Sequence, residues 1–310
     1  MCGLFGFSIY NKAVEDYSDF LNALSVGASE RGTHATGISY NKDNSLTVYK
    51  RPLPASKMNF KHLDGVRVIT GHTRHATQGN CQNNYNNHPF IGQCGKINFA
   101  LAHNGIIYND DQLRRAEKLP ESKIKTDSYV MTQLLEKRKK LDFKSLAECT
   151  EKLQGYYTFT LLTGKNELYI IKGDSPISII HFTRLKMFAY ASTDEILYQA
   201  IIDAGLLGEL KKGFFEDIPI KDGQIMKIDS SGQITTGEYN PPDFSGYSFK
   251  NWYDYGFSWS DSDDDYITDL KQIATYMGYY PEEIDELLAE GFTTDEIEAY
   301  IYGEENIYAE

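Results

Sequence analysis

The sequence predicts an α+β fold in which short antiparallel strands outnumber helices. Two observations indicate this class: apolar and polar residues alternate repeatedly along residues 1–242, and helical periodicity is confined to a few segments between those stretches. Antiparallel strands with helices grouped outside them form layered α+β domains. The chain has 310 residues, of which 41% are hydrophobic, so it can hold one large domain and an appendage.

Residues 1–155 are predicted to combine strands with helices. The strands are predicted at residues 2–10, 37–40, 45–49, 66–71 and 97–103. The helices are predicted at residues 17–29, 110–117, 126–139 and 141–153, and Gly155 is predicted as the C-cap of the last one. The polar segment 51–64 and the Asn- and Gly-rich segment 78–92 are predicted as loops.

From residue 156 onward the pattern changes to closely spaced strands. They are predicted at residues 156–163, 168–172, 177–182, 187–192, 213–218 and 224–228, with a helix at 194–204 and a turn at 230–232. Many antiparallel strands with few helices are what a layered α+β domain contains.

A domain boundary is predicted at the Pro pair 241–242. Domain 1–242 is followed by an aromatic and acidic linker, 243–265, and by an acidic helical module, 266–310. Residues 243–310 carry 18 acidic and 2 basic side chains, so the net charge of −13 belongs to this tail. We expect the tail to contact protein, either its own domain or a partner. The alternative is a solvated, partly disordered extension.

A short repeat within the tail predicts a helical hairpin. The pattern of residues 278–284 recurs at residues 291–297, and each copy is apolar on one helical face. Pro281 suits a first helical position, and Thr293 with Glu296 forms a capping box.

Composition and cysteine spacing argue against several classes of protein and of binding site. No apolar run approaches the length of a membrane span, and neither part of the chain has the basic footprint of a nucleic-acid-binding protein. The first residues lack the features of a signal peptide. The four cysteines, Cys2, Cys81, Cys94 and Cys149, show no C-x-x-C spacing. We therefore expect a cytoplasmic protein without a metal ion or a cofactor.

Residue 2 offers a nucleophile and a base on one residue. Initiator methionine is removed when the next residue is small, so we expect the mature chain to begin at Cys2, with a thiol and a free α-amine. An α-amine that titrates at about pH 8 can take the thiol proton and later return it to a leaving amine. The alternative is a small buried hydrophobic residue, the usual state of a free cysteine.

Three downstream motifs favour the catalytic interpretation. Residues 2–6 read CGLFG, residues 31–37 read RGTHATG, residues 71–79 read GHTRHATQG and residues 101–107 read LAHNGII. In order and content these motifs resemble those of the class II glutamine amidotransferases, which are N-terminal nucleophile hydrolases. The resemblance covers residues 2–240 and implies a four-layer αββα sandwich of two antiparallel sheets, to which the tail adds a small helical appendage.

The resemblance assigns catalytic roles to four residues. Cys2 is the nucleophile, and Arg31 lies close to it and lowers the pKa of its thiol. Asn104 and Gly105 follow a strand and supply the donors of an oxyanion hole. The residues themselves leave alternatives open. In the alternative interpretation, Arg31 is a surface arginine at a turn, and Asn104-Gly105 is a hairpin turn.

Substrate-binding residues are implied at four further positions. Arg74 can pair with the α-carboxylate of glutamine, Thr77 adds a donor, and Asp127 can pair with the α-ammonium group. His88 matches a loop that covers the site in the family. Asp127 has the alternative role of a helix N-cap, and His88 that of an ordinary loop histidine.

Three positions depart from the family pattern. His34 stands where an Asp is common, His75 stands where an aromatic residue is common, and Gln78 replaces a frequent His. The nucleophile, the oxyanion donors and the glutamine clamp are all retained.

The predicted function is the hydrolysis of glutamine to glutamate and ammonia through a Cys2 thioester. Nothing in residues 243–310 resembles the synthase that uses ammonia in this family, so we expect a separate partner protein that holds the acceptor. One alternative is an N-terminal nucleophile amidase or peptidase acting on another amide. A second alternative is a catalytically silent binding protein that keeps the fold.

Overall fold

The computed structural model describes residues 2–11, 16–76, 78–211 and 213–241, and in the C-terminal part residues 267, 271, 274, 280–293, 296, 297 and 300. The chain separates into two compact units, Met1–Pro242 and Asp243–Glu310. Each unit is described separately below.

Two antiparallel sheets form the centre of the first unit. The strands are β1 (Gly3–Ile9), β2 (Ala35–Lys42), β3 (Ser45–Arg51), β4 (Val68–Arg74), β5 (Phe90–Cys94), β6 (Ile97–Ile107), β7 (Gly155–Thr163), β8 (Leu168–Lys172), β9 (Ser178–Phe182), β10 (Met187–Ala191), β11 (Phe215–Asp217), β12 (Gln224–Ile228) and β13 (Ile234–Glu238). The first sheet has the order β11-β9-β10-β1-β4-β2-β3, and the second has the order β13-β12-β8-β7-β6-β5.

Helices cover the outer faces of both sheets. They are α1 (Ser18–Ala28), α2 (Asp110–Ala116), α3 (Tyr129–Glu136), α4 (Phe143–Thr150) and α5 (Asp194–Asp203). One core joins α1 and α5 to the first sheet, and another joins α3 and α4 to the second. A third core lies between the sheets and includes Leu4, Leu162 and Tyr190. These three cores confirm the predicted α+β class and the four-layer αββα arrangement.

Strand register brings the motifs to one end of the sandwich. Cys2 directly precedes β1, whose Gly3 pairs with Thr73 of β4, so Cys2 and Arg74 lie at the same end of neighbouring strands. Asn104 lies in β6 of the facing sheet and pairs with Thr158 of β7. A hydrogen bond of 2.9 Å between His72 Nε2 and the carbonyl oxygen of His103 joins the two sheets at this level.

The prediction that Asn104 and Gly105 follow a strand was wrong, because β6 continues through them to Ile107. The Asn-Gly turn alternative is excluded for the same reason. Gly105 adopts φ +140°, and a Cβ there would lie 2.0 Å from the carbonyl oxygen of Tyr156. Only glycine permits this close approach of two strands. Gly105, which resembled a turn residue, is therefore needed for the pairing of β6 with β7.

Three other local predictions need correction. The segment 78–92 is not a loop throughout, because its end forms β5, which begins at Phe90. Gly155 does not cap α4, which ends at Thr150 with Glu151 as its C-cap; Gly155 is instead the first residue of β7. The strand β13 was not predicted, since its half-exposed sequence lacks a long apolar run.

The second unit contains a described helix, α6 (Pro281–Glu290), which begins with Pro281 as predicted and ends at Gly291 with φ +98°. The predicted capping box is present: Glu296 N donates to Thr293 Oγ1, and Thr293 N donates to Glu296 Oε2. Ile284 and Leu287 are buried against Ala274 and Ile297. The predicted linker 243–265 lies outside the described residues.

Candidate active site

Cys2 occupies the start of the first sheet's central strand. It is half-buried, and its Sγ donates to the carbonyl oxygen of His75 at 3.5 Å. Burial raises the pKa of the Cys2 thiol, whereas the His75 carbonyl contact and the Arg74 charge lower it. The thiol is therefore held protonated in this arrangement and needs a base to become a nucleophile.

Arg31 lies against Cys2, as the motif implied. Its Nε donates to the carbonyl oxygen of Cys2 at 2.9 Å, a contact to the main chain rather than to the sulfur. Burial lowers the pKa of Arg31, and the nearby Cys2 opposes this shift. Arg31 therefore holds the residue that carries the thiol.

Asn104 presents a buried amide to the same region from the second sheet. Its side chain is 1% exposed, and its Nδ2 has no acceptor among the described residues. Leaving such a donor unsatisfied costs about 1–3 kcal/mol, so native proteins rarely retain one without a reason. Asn104 thus has the property expected of an oxyanion donor.

Arg74 is buried, and loop groups already surround its guanidinium. Its Nη1 donates to Asn87 Oδ1 at 2.7 Å, and its Nη2 donates to the carbonyl oxygens of Gln78 and Gly79. Burial lowers the pKa of Arg74, and the nearby Cys2, Cys81 and Asp127 oppose that shift. Arg74 therefore organises the segment 78–87 in addition to any role toward a substrate.

Asp127 lies where it interacts electrostatically with both Cys2 and Arg74. Its Oδ2 accepts from Ile107 N at 2.7 Å, and its Oδ1 accepts from Ser128 Oγ at 3.1 Å. The helix N-cap alternative was wrong: the N-cap of α3 is Ser128, and the Asp127 carboxylate binds the main chain of β6 instead.

His88 is not an exposed loop residue but is 3% exposed in the core. Its ring lies 4.1 Å from that of His72 and 4.4 Å from that of Phe90, between ring centroids. Its two ring nitrogens have no hydrogen-bond partner among the described residues, and burial holds its pKa well below the usual range. The predicted Thr77 lies outside the described residues.

The structure adds supporting residues that the motifs alone did not single out. Asn87 binds Arg74, and Lys50 Nζ donates to the carbonyl oxygen of Pro89 at 3.1 Å. Burial and Arg74 lower the pKa of Lys50 to about 8. His103 Nδ1 lies 2.8 Å from Ser128 Oγ and so connects β6 to the Asp127 carboxylate. His103 stood inside the 101–107 motif and Ser128 directly follows the predicted Asp127, but Asn87 and Lys50 had no sequence signal beyond their residue types.

The described residues contain no group of three His, Cys, Asp or Glu side chains arranged to hold a metal ion. Among these same residues, no helix is long and apolar enough to cross a lipid bilayer.

Sequence comparisons agree with the motifs. Residues 72–199 match the glutamine amidotransferase domain family. The chain is 27% identical over 262 residues to the amidophosphoribosyltransferase of Methanocaldococcus jannaschii, covering 78% of this chain and 51% of the relative. It is 29% identical over 192 residues to a glutamine–fructose-6-phosphate aminotransferase of Clostridium perfringens, covering 58% of this chain and 30% of the relative.

A solved structure supports the fold. The glutamine phosphoribosylpyrophosphate amidotransferase from B. subtilis, complexed with ADP and GMP, is similar with a TM-score of 0.61 and 21% identity. The match covers 77% of this chain and 49% of that one. The chain therefore spans about half the length, or less, of the relatives it matches. The domain match and the sequence relatives, together with the shared fold, all support a class II glutamine amidotransferase domain in this chain.

Proposed function

We propose that this protein hydrolyses the side-chain amide of glutamine, with Cys2 as the nucleophile, and releases glutamate and ammonia. The observation that carries this proposal is the buried Asn104 amide, whose Nδ2 lacks an acceptor among the described residues. The hydrogen bond between His72 Nε2 and the carbonyl oxygen of His103 joins its strand to β4, the neighbour of the strand that Cys2 precedes. A donor kept without an acceptor in the ground state is available to an oxyanion that forms only during reaction.

The reaction follows from the thiol and the amine. After methionine removal, the α-amine of Cys2 accepts the thiol proton, and Sγ attacks the amide carbon of glutamine. Asn104 Nδ2 and Gly105 N–H stabilise the oxyanion of the tetrahedral intermediate. Its collapse breaks the C–N bond, and the amine returns the proton to the departing ammonia. Water then hydrolyses the γ-glutamyl thioester to glutamate and restores the thiol.

The surrounding charges favour free glutamine as the substrate. Arg74 and Asp127 both act electrostatically on the Cys2 thiol, so one cation and one anion lie within electrostatic range of the reacting atom. A free amino acid carries a carboxylate and an ammonium group that match this pair, whereas a glutamine within a peptide carries neither. We assign the α-carboxylate to Arg74 with Thr77, and the α-ammonium to Asp127.

The acceptor of the ammonia is proposed to lie on a separate protein. The names of the two sequence relatives refer to a phosphoribosyl group and to fructose 6-phosphate, and the matches cover 51% and 30% of their lengths. Residues 1–242 would act as the glutaminase domain, and the acidic residues 266–310 would contact a protein partner.

Glutamate release from glutamine tests the proposal directly. We expect turnover in the purified protein, its loss in Cys2→Ala, and its retention in the matched control Cys81→Ala, since Cys81 is also a half-buried free cysteine. A diazoketone mimic of glutamine should add mass to Cys2, and the intact mass should correspond to a chain without Met1. Retention of Met1, or labelling that spares Cys2, would contradict the proposal.

A substrate panel separates the remaining alternatives. Cleavage of γ-glutamyl amides with blocked α-groups at a rate above that of glutamine would favour a different amidase. Absence of both turnover and labelling would identify a silent binding protein.

A further inference from the structure

Two of the three departures from the family pattern lie in contact with each other. The imidazole rings of His34 and His75 are stacked, with centroids 5.0 Å apart and an interplanar angle of 24°. His34 lies in the 31–37 motif and His75 lies in the 71–79 motif, so the pair joins two separate motifs of the candidate site. Neither ring has been assigned a role in the proposed reaction.

Main-chain contacts extend this pairing along both segments. His34 N donates to the carbonyl oxygen of Arg74 at 3.0 Å, and Ala76 N donates to His34 Nδ1 at 2.9 Å. Gly32 lies so close to the same segment that a Cβ there would be 2.4 Å from His75 N. Contacts with residues 31–34 therefore fix the main-chain position of residues 74–76.

Residues 74–76 carry groups that the proposed reaction needs. The carbonyl oxygen of His75 accepts a hydrogen bond from the Cys2 thiol at 3.5 Å. The preceding residue, Arg74, provides the guanidinium. A shift of the 75–76 peptide would move the thiol's hydrogen-bond acceptor directly. Misplacement of reacting groups by about 1 Å is enough to reduce enzymatic rates by roughly 100-fold.

We propose that His34 is a positioning residue: its neutral Nδ1 accepts the Ala76 N–H, and its ring supports His75, so that the thiol of Cys2 and the guanidinium of Arg74 are held in register. This inference rests on the proposed glutaminase function. Loss of the Nδ1 acceptor would leave the Ala76 N–H without this partner, and the segment 74–76 would lose its anchor.

The value of kcat/KM for glutamine tests the proposal with two variants of one residue. His34→Asn keeps an acceptor near the Nδ1 position, and His34→Ala removes it. We expect His34→Ala to lose roughly tenfold in kcat/KM and His34→Asn to remain within about threefold of the wild type, because only the first variant leaves the Ala76 N–H without an acceptor.

A matched control and an independent readout complete the test. His62→Ala makes the same change at an exposed histidine and should leave kcat/KM unaltered. The rate of Cys2 alkylation, followed by peptide mass spectrometry, should change in His34→Ala and be restored in His34→Asn. A wild-type kcat/KM and alkylation rate in His34→Ala, or an equal loss in both His34 variants, would overturn the proposal. If the wild type lacks glutaminase activity, the proposed function fails, whereas the alkylation rates still test the His34 contact.

Discussion

The two walls of the candidate site are built in different ways. The wall from the first sheet carries Cys2, Arg31 and Arg74, and its charged donors are satisfied by main-chain carbonyls or an amide oxygen. The wall from the second sheet carries Asn104, which is fully buried within a strand ladder and has a donor with no acceptor among the described residues.

This difference separates positioning from chemical stabilisation. Donors that are already satisfied hold the main chain in place, and their loss should misplace the thiol. A buried donor without an acceptor gains its partner only when charge develops on the substrate, so its loss should affect the transition state alone. Substitutions on the two walls should therefore differ in which kinetic or stability parameter they change.

The largest effect is expected from Asn104→Ala. Removal of one oxyanion donor lowers kcat by about 10²–10³-fold, with little change in KM. Stability should not fall by the usual cost of a lost hydrogen bond, because Asn104 Nδ2 donates none among the described residues. Steady-state kinetics and thermal unfolding measure both. Asn98→Ala, an exposed change on the same strand, is the control. A kcat within threefold of wild type would contradict the oxyanion assignment.

Asp127 should show two separable effects. Asp127→Asn keeps an oxygen that can accept from Ile107 N but removes the charge proposed to bind the α-ammonium, so KM for glutamine should rise roughly 10–100-fold, as expected for a charge-assisted contact. Asp127→Ala should in addition lower the free energy of unfolding by about 1.5–3 kcal/mol. The exposed Asp111→Asn should change neither quantity. An unchanged KM in Asp127→Asn would remove this residue from the clamp.

Arg31→Ala tests the wall that positions the nucleophile. Loss of the contact between its Nε and the carbonyl oxygen of Cys2 should lower kcat/KM about tenfold, the consequence of losing one hydrogen bond of roughly 1.5 kcal/mol. The alkylation rate of Cys2 should change in the same variant, because the residue that carries the thiol is less well held. An Asn104→Ala protein should retain the wild-type alkylation rate of Cys2. Equal changes of this rate in Arg31→Ala and Asn104→Ala would contradict the proposed difference between the two walls.

The smallest effect is expected in stability. It concerns three buried histidines, His72, His88 and His103. Burial lowers the pKa of His72 to about 3, and it also lowers the pKa values of His88 and His103. Because the unfolded chain binds protons that the folded chain excludes, stability should fall as the pH drops below about 6.5, by roughly 1.4 kcal/mol per pH unit for each such group.

His88→Leu should make that pH dependence shallower by about one proton, measured by denaturant unfolding between about pH 6.5 and pH 5. The exposed His62→Leu should leave the slope unchanged. Glutamine turnover should persist in His88→Leu, since the His88 ring packs between His72 and Phe90 in the core. Loss of turnover without loss of stability would return His88 to the substrate-binding residues.

Much of the architecture could be read from residue patterns. Alternation and helical periodicity located most strands and helices of residues 1–242, and four motifs in order indicated the family. Such signals are local, and they succeed where one face of an element is buried along its length. The half-exposed strand β13 escaped prediction because its alternation is weak.

Local signals failed where a residue served a distant partner. Gly105 resembled a turn residue, yet it lies within β6 because the carbonyl oxygen of Tyr156 leaves no room for a Cβ. Asp127 resembled a helix cap, yet its carboxylate binds the main chain at Ile107. In both cases the deciding contact joins residues at least 20 positions apart, and no short window contains it.

The order and chemistry of the motifs were thus sufficient to predict the sandwich and to propose a nucleophile and its donors, because these depend on residue type and on short-range pattern. Three-dimensional packing was needed to bring His34 onto His75, to leave the Asn104 amide without an acceptor among the described residues, and to enclose His88 among other rings. Those features arise from contacts between strands and loops far apart in the chain, where burial sets the charge state and the hydrogen-bonding needs of each side chain.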